Sequence, residues 1–201
     1  MLKIRVLISL EFLWGFRSLD HMNLREMLLA EHSKAQCLRV VKWIGNDQSR
    51  FNELIKIFLS DEQLLIQRAA WPLSYCVQAH PALIKPHYGK LIRNLRQPGL
   101  LDAVKRNTIR IFQEIDAPER FHGELMNTCF GFIESMTEKP AIKAFALTVL
   151  FNLSEQYPDI RPELKAIIEE RWEYESAAFK SRGRKILKAI GKKEPYRQQK
   201  N

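Results

Sequence analysis

Residues 140–153 read PAIKAFALTVLFNL. Ile142, Phe145, Ala146, Val149, Leu150 and Leu153 fall at i, i+3, i+4, i+7, i+8 and i+11. That spacing follows the α-helical period and lays a broad apolar stripe along one face. Pro140 opens the stretch, where a helix has no use for a backbone N–H. Such a stripe is stable only when another element covers it. Leu150 is therefore placed on the buried inner face.

The same period recurs on both sides. Phe51, Leu54, Ile55, Phe58 and Leu59 repeat it, as do Phe121, Leu125, Cys129, Phe132, Ile133 and Met136. No alternating stretch with an Asn-Gly or Asp-Gly turn announces a hairpin. Breaks fall at Gly45-Asn46-Asp47, Ser60-Asp61, His80-Pro81, Gln97-Pro98-Gly99, Asp116-Ala117-Pro118, Glu138-Lys139-Pro140, Tyr157-Pro158 and Glu175-Ser176. These residues carry the stop and start chemistry of helices. They predict about nine helices after residue 22. The loops are short, so successive helices should pack antiparallel. Ser33 with Gln36 predicts a capping box, and Asn46 with Asp47 a turn that caps the next helix.

The pattern also has a longer period. Arg68, Arg106, Ala144 and Arg182 are 38 residues apart. Five residues on, Leu73, Ile111, Val149 and Leu187 are all aliphatic, as are Val77, Ile115 and Leu153. A shorter step of 33 matches Leu38, Val40 and Ile44 to Trp71, Leu73 and Val77. The segments HPALIKPHYGKLI from residue 80 and YPDIRPELKAII from residue 157 echo each other. A repeating helix pair of this length is the signature of an α-solenoid, in which each unit buries its apolar face against the next.

These residues resemble HEAT repeats, an armadillo-type α-superhelix whose units carry a proline early in the first helix and a base in the second. The resemblance covers most of residues 22–193. It implies an all-α solenoid of about four to five stacked antiparallel helix pairs, flanked by an extension over residues 1–21 and a basic tail over residues 194–201. The chain departs from the pattern in two places. The aspartate of the turn between paired helices is present only loosely, as Asp61 and Asp102, and Pro72 falls inside a second helix.

The resemblance further implies that second helices line the concave face. Their bases and aromatics off the apolar stripe are the candidate partner-binding residues: Arg39, Lys42, Arg68, Trp71, Tyr75, Arg106 and Arg110. Guanidinium groups present forked donors to carboxylate or phosphate. Arg182, Arg184, Lys185 and Lys188 form a basic patch near the C-terminus. The net charge is +9, and the segment from Lys180 to Asn201 holds nine bases against Glu194 alone. A block of that kind favours an acidic partner.

The leading expectation is a non-enzymatic, cytoplasmic module that takes a protein partner, with an acidic segment preferred. The alternative is a nucleic-acid-binding protein related in architecture to the HEAT-like-repeat DNA glycosylases. That chemistry, by resemblance, uses a carboxylate and tryptophans on the concave face. Here Asp20, Asp47, Asp61, Asp102, Asp116 and Asp159 all fall at predicted helix ends or turns, where capping explains them. No catalytic residue is assigned. Self-association through the open ends of the stack is a further expectation.

No cofactor or metal is expected. G-x-S-x-G, G-x-x-x-x-G-K-[ST] and H-E-x-x-H are absent from the sequence. Cys76 and His80 stand four residues apart without further ligands nearby. Cys37, Cys76 and Cys129 are odd in number and widely spaced, which suits buried, reduced thiols. The opening MLKIRVLISLEFLWGF loosely resembles a signal peptide, but Glu11 interrupts its apolar run and the run is too short to span a membrane. No membrane association is expected.

Overall fold

The computed structural model describes residues 23–193, which are all-α, with no strand among them. The expected extension over residues 1–21 and the tail over residues 194–201 lie outside the described residues. Two compact units meet at Cys76 in the sequence.

The first unit holds α1 (Leu24–Ala30), α2 (Lys34–Ile44), α3 (Gln48–Phe58) and most of α4 (Gln63–Ala79). Each of the first three helices has a side-chain cap. Asn23 Oδ1 accepts from the Glu26 N–H, Ser33 Oγ from the Gln36 N–H, and Asp47 Oδ1 from the Ser49 and Arg50 N–H groups. These bonds satisfy donors that a helix start leaves without partners. Ser33 also accounts for a tenth helix where the eight breaks predict about nine. It splits the first amphipathic stretch into α1 and α2.

The predicted capping box is only half formed. Gln36 does not return the bond to Ser33. Its Oε1 accepts from the Arg39 Nε–H at 2.7 Å instead, and its Nε2 donates to the Met27 carbonyl at 2.5 Å, which ties α2 to α1. Gly45 closes α2 with φ 51, a left-handed value that a side chain disfavours. Pro72 lies within α4. It has no N–H to offer the carbonyl four residues back, yet the helix runs on through it. Leu24, Met27, Val40, Phe51, Leu54 and Phe58 make the core of this unit.

The second unit begins with a 3₁₀ turn over Pro81–His87 and continues as α5 (Tyr88–Asn94), α6 (Asp102–Phe112), α7 (His122–Glu134), α8 (Pro140–Leu153), α9 (Arg161–Glu170) and α10 (Ala177–Lys193). The two proline-bearing echoes fold alike. Pro81 and Pro158 each open a 3₁₀ turn that leads straight into a helix, α5 or α9. Helix α8 packs against α6, α7, α9 and α10. It is therefore buried on more than its predicted stripe, and Ala144 and Leu147 are as covered as Val149 and Leu150.

Burial on that scale leaves Lys143 in the interior, with 4% of its side chain exposed. Its ammonium meets Glu175 at 2.5 Å, and Arg171 bonds the same carboxylate at 2.9 Å. One repeat earlier, Lys105 makes the matching pair with Glu138 at 2.9 Å. Each base reaches from a second helix to the turn that precedes the next second helix. His122 adds another joint in this unit. Its Nε2–H donates to the Ala117 carbonyl at 2.7 Å, so its Nδ1 accepts from the Tyr157 hydroxyl at 3.1 Å. Gly183 lets α10 close on α9, since a Cβ there would stand 2.9 Å from Ile168 Cγ2.

Leu150→Ala should lower the unfolding free energy by roughly 2–5 kcal/mol, as expected for a fully buried leucine, measured by urea denaturation. Glu175→Ala should also be costly, at roughly 3–5 kcal/mol, because it strips the buried Lys143 of its counter-charge. An unchanged urea midpoint for either variant would show that its side chain is not held in the interior.

Candidate functional site

In the first unit, α2 supplies Arg39 and Lys42, and α4 supplies Arg68, Trp71 and Tyr75. Positions 68, 71 and 75 are spaced by three and four residues, so they share one helix face. Trp71 lies 6.4 Å from Tyr75 and 6.1 Å from His32, centroid to centroid. Arg39 is engaged. It donates to Gln36 Oε1 at 2.7 Å and pairs with Glu31 at 3.2 Å. Lys42 is exposed and has no ion pair among the described residues.

Arg68 differs from both. Its Nη1 is buried and has no hydrogen-bond partner among the described residues. The side chain lines a small notch of about 10 Å³ together with Glu31, His32, Ser33, Gln36 and Trp71. The notch brings two of the predicted site residues, Arg68 and Trp71, together with Ser33 and Gln36, which the sequence analysis assigned only to a capping box, and with Glu31 and His32. His32 carried no signal in the sequence, because its approach to Trp71 depends on how α4 lies against the start of α2.

In the second unit, Arg106 and Arg110 are one turn apart on α6. Arg182, Arg184, Lys185 and Lys188 are on α10. Helix α8 contacts both α6 and α10. At the matching register it presents Ala144 and Thr148, and its one lysine, Lys143, is buried and paired. The bases of α6 and α10 are therefore not joined by an unpaired base of α8. None of these six has an ion pair among the described residues, and Arg184 rests over the Trp172 ring at 5.8 Å.

The bases that the repeat does bind internally, Lys105 and Lys143, precede the predicted positions by one residue. The 38-residue step links them too, so their kinship was available in the sequence. Only their burial was not. An open groove of about 950 Å³, lined by Arg93, Arg96, Glu124, Asn127 and Phe132, also belongs to this unit, with Arg96 and Glu124 3.5 Å apart.

Residues 24–190 match the family model of the HEAT repeat domain. The chain is a HEAT-repeat protein. No curated protein and no solved structure matches it. The repeat domain is thus an all-α solenoid of antiparallel helix pairs, and HEAT repeats are repeat scaffolds that commonly mediate protein interactions. No helix among the described residues is long and apolar enough to cross a membrane.

The HEAT-repeat interior also sets the chemistry of the cysteines. Cys37, Cys76 and Cys129 are free and buried. Burial pushes the Cys37 thiol up to about 11 and the Cys76 thiol up to about 12, and it raises Cys129 as well. A thiol reacts as its thiolate, so none of the three is an activated nucleophile near neutral pH. Iodoacetamide at pH 7.5 should leave all three unmodified in the native protein and alkylate all three in guanidinium, as read by mass spectrometry. Modification of any of them in the native state would show that its site opens to solvent.

Proposed function

We propose that this HEAT-repeat domain is a non-enzymatic, cytoplasmic scaffold that binds an acidic segment of a protein partner. The bases of its second helices and of α10 would provide the contacts. The observation that carries the reading is the charge of α10. From Ala177 to Lys193 the helix holds seven bases and no acid. Arg184, Lys185 and Lys188 are exposed, and none of the bases from Lys180 to Lys192 has an ion pair among the described residues. A helix of one sign repels itself, and a partner of opposite charge relieves that repulsion.

The interruption at α8 favours a protein over nucleic acid. Phosphodiester backbones carry charge at short, regular intervals and are held by bases that follow that spacing. Bases with a gap at α8 suit an acidic segment whose charges can be placed to match. Three buried free thiols accord with a reducing compartment. None of the bases of α6 and α10 stands beside a carboxylate and a perturbed base in the arrangement that acid–base catalysis needs.

The test is a salt-titrated binding measurement on the full chain with acetylated hexaglutamate amide, duplex DNA and single-stranded RNA. The peptide should bind at 50 mM salt and weaken as salt rises. The triple variant R182E/K185E/K188E should lose at least tenfold in affinity with its melting temperature kept. Tighter binding of either nucleic acid, with a steep salt slope, would replace this reading by the nucleic-acid one. No binding to any probe at low salt would remove both.

A further inference from the structure

Among the described residues, Met136 and Tyr174 are the most exposed large apolar side chains, at 75% and 82%. They are 38 residues apart, so they occupy one position in successive repeats. Met136 stands in the turn between α7 and α8, and Tyr174 ends the 3₁₀ turn between α9 and α10. Pro98, another 38 residues back in the turn between α5 and α6, is also exposed. Single exposed apolar residues need no explanation, but a row of them at one register does.

Arg171 fixes two of these turns side by side. Its guanidinium donates to the Glu134 carbonyl at 2.8 Å, the Ser135 carbonyl at 3.3 Å and Met136 Sδ at 3.2 Å. It also pairs at 2.9 Å with Glu175, the chain neighbour of Tyr174. Met136 and Tyr174 are thus presented on backbone that is already ordered, which lowers the cost of docking. Charge around them runs against the rest of the chain. In a protein of net charge +9, residues 134–139 and 169–175 hold six acids and two bases. Lys105 and Lys143 take up Glu138 and Glu175, Arg171 is spent internally, and Lys139 is turned to Asp102 at 4.0 Å. Glu134, Glu169, Glu170 and Glu173 remain exposed, with no ion pair among the described residues.

We infer that this ridge of turns is a docking surface for a protein segment in which lysine or arginine alternates with apolar side chains. The apolar groups of the segment cover Met136, whose flexible thioether adapts to their shape. A cation of the segment lies on the Tyr174 ring. The four leftover glutamates hold its other bases. The ridge is separate from the bases of α6 and α10 and takes a partner of opposite sign, so it does not rest on the acidic-partner reading.

The probes are the acetylated, amidated hexapeptides KLKLKL, KSKSKS and ELELEL, added to the full chain at 50 mM salt. Calorimetry gives the affinity, and the Met136 methyl resonance reports the place. KLKLKL should bind saturably and shift that methyl. KSKSKS, of equal charge, should bind roughly tenfold more weakly, and ELELEL should leave the methyl unmoved. Tyr174→Ala should weaken KLKLKL roughly tenfold with its melting temperature kept, since the ring is exposed. Tyr174→Phe retains the aromatic face and should bind as the wild type does. The variant E170K/E173K should weaken KLKLKL and flatten its salt dependence.

The inference is overturned if KSKSKS binds as well as KLKLKL, if ELELEL shifts the methyl equally, or if Y174A binds normally. A Y174A chain that melts several degrees lower would mark the ring as structural and overturn it as well. Dimerisation of the peptide-free chain that Y174A abolishes would put a second copy on the ridge in place of a foreign partner.

Discussion

The structure depends on helices covering one another's apolar stripes, and α8 shows the constraint at its fullest. Four helices of the second unit pack around it, so almost nothing on its surface can remain polar. Its buried side chains are small or aliphatic for that reason. The one exception among them, Lys143, is tolerated because Glu175 and Arg171 complete a buried network around it. Such a network adds little net stability over an apolar core, but it is costly to break on one side. It also fixes register, because Lys143 finds Glu175 only when the next helix pair is seated correctly. The Lys105–Glu138 pair sets the preceding step in the same way.

That division of labour separates two kinds of base in the chain. One kind holds repeats together and is paired and covered. The other kind, on α6 and α10, stands outside the internal network. Positions one residue apart on a helix are rotated by about 100° and so face different surroundings. Lys105 faces the next repeat, whereas Arg106 faces solvent. Arg68 belongs to neither kind, since its Nη1 is buried with no partner among the described residues.

Much of the architecture was legible along the chain. The eight breaks coincide with the observed interruptions between helices, because glycine, proline and capping side chains act locally. The missing division, at Glu31–His32–Ser33, lies where α1 is only seven residues long, too short for its own period to be visible. The capping box at Ser33 was half wrong for a tertiary reason. The Arg39 Nε–H took the Gln36 oxygen that a local rule assigns to the Ser33 N–H, while the Met27 carbonyl accepted from the Gln36 amide. Of the site residues, the sequence placed the bases on helix faces but could not say which were spent internally.

By itself, then, the sequence determined the helices, their breaks and the 38-residue repeat, since these follow from periodicity and from backbone chemistry within a few residues. Tertiary structure alone decided which charges were buried and which were left over. Whether a lysine meets a glutamate more than thirty residues away depends on how one helix pair seats on the next. The same holds for the Arg68 notch, whose walls come from the start of α2 and the middle of α4 and meet only after packing.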